Sequence, residues 1–383
     1  MSDPAPKRSL PRRDWILLPV LSLLTVLVMA AGAEGVARLF WPEQWVDACM
    51  RAADGEKPKA NCSDMAKAVE GPWFEARYNE CGYRATGPCD KPPPAGTERI
   101  AVLGTSTSFG FLVPFEHTWF VRTAHDLAEE CGRPVDVQSL VQINRTPEHL
   151  DFGDFNIIAR RLPEAIALKP QLVVLVVTPY DLTEMPDGGF NPVIDPETVK
   201  PTVQPARAGI IEFAKSLKQV SRTVSVAQHF IYRDTNLYVW TYLHYGDKAA
   251  FLHAQMTPRW QERIAYLDAA VDYISAQLKP TGTPLVVAYA PAEVEGYLIA
   301  DKIQIPDVDG ESLARTVGAI AGRHGAIFAD GASAFQGVHD VQNYFYRADG
   351  HLNGAGHEVF GDAVAGALIS AKSFGYCDRQ AAR

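Results

Sequence analysis

The chain is 383 residues long, 47% hydrophobic and 21% charged, with a formal net charge of −9. That length and apolar content support a full core, and they suit one large domain with additions as well as two domains. The acidic balance and the lack of a Lys/Arg-rich run in the soluble part exclude nucleic acid as an expected partner.

In chain order, residues 1–14 read as a cytoplasmic tail containing Lys7, Arg8, Arg12 and Arg13. Residues 15–38 read as a transmembrane helix. Trp15 to Ala33 is apolar apart from Ser22 and Thr25, about the length needed to cross the hydrocarbon layer. The preceding positive charges keep the N-terminus inside and export everything after residue 40. The expected location is therefore a bacterial inner membrane, single-pass, with the main domain in the periplasm. The stretch Ala31-Gly-Ala33 leaves a cleaved signal peptide open as the alternative.

Residues 39–96 read as a stalk or lead-in, ending in the proline-rich connector Lys91-Pro-Pro-Pro-Ala-Gly-Thr97. Six cysteines follow the apolar segment: Cys49, Cys62, Cys81, Cys89, Cys131 and Cys377. They lie on the side where disulfides persist. No Cys-x-x-Cys pair occurs, so no metal site is expected. Spacing by itself selects no pairing.

Residues 97–376 read as one domain. Arg99–Leu103 is a buried strand, Thr118–Glu130 a helix, Val135–Val141 a strand and Phe155–Leu168 a helix. Leu172–Val177 is a continuous apolar run, as in a central parallel strand. An aromatic-rich insertion follows at about 183–258, including Phe190, Phe213, Phe230, Tyr238, Trp240 and Tyr242. It reads either as a lid or substrate wall, or as the core of a helical subdomain. Alternation then resumes. Trp260, Ile264, Leu267, Val271, Ile274 and Leu278 form one helical stripe. Pro284–Tyr289 and Ala326–Ala329 are strands, with helices over Glu311–His324 and Gly354–Ser373, the last capped by Asn353. Such alternation predicts an α/β fold with a central parallel sheet covered on both faces. Sites in these sheets form beyond the carboxyl ends of strands. Ser106, Asp181 and His351 follow the first, third and last strands, so all three are expected at one edge.

Ser106 stands in Gly104-Thr-Ser-Thr-Ser-Phe-Gly110, and Asp349 and His351 stand in Asp349-Gly-His-Leu-Asn353. A serine needs a base to take its proton, and the base needs a carboxylate to hold its tautomer. Positions i and i+2 of an extended segment point the same way, so Asp349 and His351 can both face Ser106. His117 and His357 lack such a partner and are expected to be structural.

These blocks resemble those of the SGNH/GDSL hydrolases. Asn79-Glu-Cys-Gly-Tyr-Arg84, Arg99-Ile-Ala-Val-Leu-Gly104, Glu116-His-Thr-Trp119 and Ala33-Glu-Gly-Val-Ala-Arg38 are similar to segments of its membrane-anchored members. The resemblance covers roughly residues 77–180 and 260–372. It implies a flavodoxin-like three-layer α/β/α fold and ester hydrolysis or O-acyl transfer without a cofactor. Ser106 is then the nucleophile, His351 its base and Asp349 the orienting acid. In the order it implies, the first and last helices share one sheet face and end at one edge, so Cys131 pairs with Cys377. Cys49–Cys62 and Cys81–Cys89 are the remaining pairs.

The chain departs from the family at the oxyanion donors. Beside the serine N–H, the family uses a glycine N–H in its second block and an asparagine in its third. Here Val141-Gln-Ile-Asn-Arg-Thr146 has no glycine, and Thr178-Pro-Tyr-Asp-Leu182 puts Tyr180 at the asparagine position. Asn144, Arg145, Tyr180 and Asp181 are the replacement candidates for oxyanion or substrate contact. One lost donor typically costs about 100- to 1000-fold in rate. The leading expectation is an esterase or acyltransferase acting on acyl esters of envelope or exported glycans, working beside envelope-assembly proteins. Its rivals are a non-catalytic binding protein of polysaccharide assembly, and a lipase or thioesterase with an aromatic acyl pocket.

Overall fold

A computed structural model describes residues 11, 13–41, 44–51, 57–142, 153–183, 185–186, 188–193, 221–371 and 377. It divides into two compact units. One joins Met1–Glu43 to Ala206–Phe230, and the other joins Gln44–Pro205 to Ile231–Arg383. Of the expected insertion at 183–258, the described residues 221–230 group with the N-terminal helix.

In the first unit the helix Asp14–Phe40 is 27 residues long, and its most apolar stretch of 18 residues has a mean hydropathy of 2.4. At about 1.5 Å per residue it is long enough to cross a bilayer. Glu34, near its end, caps a second helix, Arg222–Ile231. Its carboxylate accepts from the Arg222 N–H at 2.8 Å, the Thr223 N–H at 3.0 Å and the Ser221 hydroxyl at 2.8 Å. These are donors that a helix start leaves unsatisfied. Trp41 stacks edge-on against His229 with ring centres 4.7 Å apart.

The second unit contains the sheets. β1 (Cys62–Lys67) and β2 (Trp73–Tyr78) form a two-stranded antiparallel ribbon. β3 (Arg84–Ala85), β4 (Glu98–Leu103), β5 (Val135–Ser139), β6 (Leu172–Val177), β7 (Leu285–Tyr289) and β8 (Ile327–Asp330) form one sheet in the order β3-β5-β4-β6-β7-β8. β3 alone is antiparallel. The parallel part has the flavodoxin-like order 2-1-3-4-5. Every residue of β6 is buried, as a strand covered on both faces requires. The helices Trp119–Cys131 and Gly354–Ser370 pack together, while Pro258–Leu278 packs beside Asp154–Ala167 and Ser312–Arg323. The result is a three-layer α/β/α arrangement.

The lead-in is not a free stalk. β3 extends the main sheet, and Phe74, Ala76 and Tyr78 pack with Phe109 and Val141. The proline connector is also fastened: the buried Arg99 guanidinium pairs with Asp136 at 2.7 Å and donates to the Pro88 and Lys91 carbonyls, each at 2.8 Å. Composition marks a proline run as irregular but carries no sign of such distant partners.

Three disulfides, Cys49–Cys62, Cys81–Cys89 and Cys131–Cys377, use all six cysteines. Cys131 and Cys377 are 246 positions apart in sequence, so their bridge closes most of the domain. Replacing both by serine is expected to lower unfolding stability by roughly 2–5 kcal/mol, because a long cross-link removes much entropy from the unfolded chain. Denaturant unfolding of the oxidised protein and the double variant measures this. Equal midpoints would show that the bridge adds nothing to stability.

Candidate active site

The sheet order reverses between β4 and β6, and the site sits at the carboxyl ends of these neighbours. β4 leads through Gly104 to Ser106. Gly104 has φ +147, and a Cβ there would stand 2.7 Å from the Ser108 Cβ and 3.0 Å from the Val176 carbonyl. Only glycine lets the chain leave the strand this closely. The Ser106 N–H makes no hydrogen bond among the described residues, while the Ser106 carbonyl accepts from Phe111 N–H at 2.9 Å.

The loop after Ser106 is clamped from several directions. Trp119 donates its indole N–H to the Thr107 and Ser108 carbonyls, each at 3.1 Å. Arg84, only 2% exposed, donates to the carbonyls of Phe109 at 3.0 Å and Val113 at 2.5 Å, and to that of Gly110. Tyr346 donates its hydroxyl to the Leu112 carbonyl at 3.1 Å, where Leu112 holds a left-handed φ of +60. Burial pulls the Arg84 pKa down to about 10, against the pull of Tyr78, Asp47 and Glu116, so it stays charged at neutral pH. Arg84 and Trp119 end two of the blocks quoted above. The sequence offered their presence but not their role as clamps.

His351 comes to Ser106 from the far end of the chain. Its Nε2 lies 2.8 Å from the Ser106 Oγ, and its Nδ1 is hydrogen-bonded to Asp349. With the proton on Nδ1 facing the carboxylate, Nε2 is free to accept from the serine. The segment is a turn, not the extended run expected from the i, i+2 spacing. Asp349 and Gly350 donate their N–H groups to the Tyr346 carbonyl at 3.0 and 2.5 Å, and Gly350 takes φ +93. The turn achieves the same convergence because glycine tolerates that φ. Phe111 packs edge-on against the imidazole at 5.7 Å.

Burial lowers the His351 pKa, but the charge and hydrogen bond of Asp349 and the charge of Asp181 outweigh it, leaving it above the ordinary histidine value. His357 is different. Burial takes its pKa down to about 3, and its Nδ1 accepts from the Trp119 N–H at 3.2 Å. It is a neutral cap on the helix Trp119–Cys131. His117 faces Glu358 at the surface, 3.4 Å away.

The four replacement candidates separate. Asn144 and Arg145 lie outside the described residues. Asp181 reaches the edge, but its carboxylate is turned inward. It accepts from the Thr105 hydroxyl, and from the Thr178 N–H and hydroxyl at 2.6 and 2.9 Å. It thus joins the two loops at the sheet reversal; a carboxylate only accepts, so it offers no hydrogen bond to an incoming oxyanion and repels it by charge. Burial raises its pKa to about 6. Thr105, which follows Gly104 at the end of β4, is its partner. Tyr180 is 41% exposed, and its hydroxyl lies 3.5 Å from where a Cβ on Gly350 would stand. A hydroxyl donor therefore stands against the turn between Asp349 and His351.

The aromatic insertion serves the core on one side. In the helix Thr235–Leu243, Tyr238, Val239 and Tyr242 are buried, while Leu237 and Trp240 are exposed.

No family model and no curated protein matches this sequence. Among solved structures, the chain is similar to an acetyl-xylooligosaccharide esterase from Geobacillus stearothermophilus, at 17% identity over 71% of this chain and 94% of that one, with a TM-score of 0.36. A catalytic mutant of an acetylxylan esterase from the same organism aligns at 16% identity over 73% and 96%, with a TM-score of 0.37. TesA aligns at 16% identity over 71% and 98%, also with a TM-score of 0.37. Scores at this level carry no argument about chemistry, which rests on the geometry above.

Proposed function

We propose that this chain is an SGNH-type serine ester hydrolase or O-acyltransferase. The observation that carries the reading is the continuous chain from the Ser106 Oγ through both nitrogens of His351 to Asp349, at the reversal point of a flavodoxin-like sheet. In this reading His351 takes the Ser106 proton as the Oγ attacks an acyl carbonyl. The proton then passes to the leaving alcohol as the acyl-enzyme forms. Water completes hydrolysis, or a second hydroxyl completes transfer. The Ser106 N–H and the Tyr180 hydroxyl are the oxyanion donors that support it among the described residues.

We further propose that the helix Asp14–Phe40 anchors the protein in a bacterial inner membrane, with the sheet domain in the periplasm. Its length and apolarity support this, as do the basic residues before it and the three disulfides after it. The proposed substrates are acyl, chiefly acetyl, esters of envelope or exported glycans, which such an anchor would meet. Envelope-assembly proteins are the proposed partners.

The test is covalent labelling of the detergent-solubilised full chain by a fluorophosphonate, with Ser106→Ala beside it. Labelling of the wild type that vanishes in the variant is the expected result. A folded wild type that takes no label would leave a non-catalytic binding role.

A further inference from the structure

The ribbon β1–β2 reaches the reacting groups through the loop that joins its strands, residues 68–72. Lys67, the last residue of β1, is 7% exposed. Its ammonium donates to the carbonyls of Ala68 at 3.0 Å and Val69 at 3.4 Å, and to that of Gly71. An ammonium carries three donors, and here they gather three carbonyls and fix the backbone of the loop. The Gly71 N–H closes the same loop on the Ala68 carbonyl at 3.3 Å. Glu70 stands between these carbonyls, and its carboxylate accepts from the Ala348 N–H at 3.1 Å, across 278 positions of sequence.

That contact falls one residue before Asp349. Within the turn, the N–H groups of Tyr346, Asp349, Gly350 and His351 bond to acceptors of the turn itself. The N–H of Ala348 goes outside it, to Glu70. A second contact lies beside the first. A Cβ on Gly71 would stand 3.0 Å from the Tyr346 hydroxyl oxygen, so glycine lets the loop press against this tyrosine. Ala68 is buried in one cluster with Leu112, Val113 and Tyr346, and the Tyr346 hydroxyl donates to the Leu112 carbonyl. The ribbon therefore touches both segments that carry the reacting groups.

We infer that Glu70 is a positioning residue, which by holding the Ala348 N–H fixes the turn that aims Asp349 and His351 at Ser106. The inference rests on the acyl-transfer reading above. The hydrogen bonds inside the turn keep its shape but do not stop it from tilting as a unit. The Glu70 carboxylate does, because a hydrogen bond to a charged acceptor is about twice as strong as a neutral one, and Lys67 holds the loop that delivers it. The 2.8 Å contact between the His351 Nε2 and the Ser106 Oγ lies at the far end of the turn, so a small tilt lengthens it. A misplacement of about 1 Å can cost roughly 100-fold in rate.

The experiment measures kcat and KM for a neutral acetyl ester, and the fluorophosphonate labelling rate, on the full chain with Glu70 replaced by Ala, Gln or Asp. Glu70→Ala is expected to lower kcat and the labelling rate roughly 10- to 100-fold with KM little changed, since Glu70 holds the turn and not the substrate. Glu70→Gln is expected to restore most of the rate, because its amide oxygen still accepts the Ala348 N–H. Glu70→Asp keeps the charge but is one methylene shorter, which draws its oxygens back from that N–H. It is expected to stay slow, so a poorly folding Glu70→Ala does not end the test. Ala and Asp variants at the wild-type kcat overturn the inference alone. So does a Gln variant as slow as the Ala one, which would assign the effect to charge, or a change confined to KM, which would put Glu70 on the substrate. A wild type that takes no label overturns the acyl-transfer reading, and the inference with it.

Discussion

Asp349→Asn is expected to lower ester turnover by about 10,000-fold with the fold intact, the loss that follows when a triad carboxylate becomes an amide. Asparagine matches aspartate in shape, so the turn around Gly350 survives. Its NH2 would face Nδ1, favour the tautomer with the proton on Nε2, and leave Ser106 without a base. The pH profile carries a second signature. In the proposed mechanism His351 must be neutral to act as a base, so activity is expected to rise with pH through its pKa. Asp349 holds that pKa above the ordinary value despite burial. Removing the charge should move the acid limb of whatever activity remains to lower pH. Turnover measured from pH 4 to 9, with thermal melts of both proteins, checks both effects. A variant at wild-type rate would remove Asp349 from the chemistry.

Arg84→Met is expected to cost roughly 3 kcal/mol or more of stability and to abolish labelling of Ser106. The buried carbonyls of Phe109, Gly110 and Val113 accept from this guanidinium, and that of Gly110 also accepts from the Val113 N–H at 3.1 Å, so two of the three would lose their donor. An unsatisfied buried acceptor typically costs about 1–3 kcal/mol. Methionine fills part of the space but offers no donor, so the loop after Ser106 loses its floor. Gly110 gives no slack, because a Cβ there would stand 2.5 Å from the Thr118 Cγ2. Arg84→Lys should rescue little, since an ammonium cannot span three carbonyls as a planar fork does. Urea unfolding and fluorophosphonate labelling measure the two effects separately. A change below about 1 kcal/mol, with full labelling, would mean that Trp119 and Tyr346 hold the loop by themselves.

Several features were legible in the linear chain because local pattern determines them. The unbroken apolar run Leu172–Val177 reads as a strand covered on both faces, and it is one. The order of strands and helices implies a parallel sheet, and β4 to β8 form it. Ser106 and the Asp349/His351 pair stand out because acyl chemistry needs those residue types after strand ends, and the chain brings them within hydrogen-bond reach.

Tertiary structure decided what depends on contacts between distant segments. Asp181 reads equally well as a substrate ligand or a structural acid; Thr178 holds one of its oxygens locally, and the approach of Thr105, 76 positions away, takes the other. Arg84 is one arginine among many until burial places three carbonyls around it. Glu34 ends an apolar helix in the sequence, yet it caps a helix nearly two hundred positions later. Periodicity reports which face of a segment is buried, since burial of apolar area acts on each segment by its own pattern. Hydrogen bonds and charges are directional and short-ranged, so their partners are settled only when the chain has closed on itself.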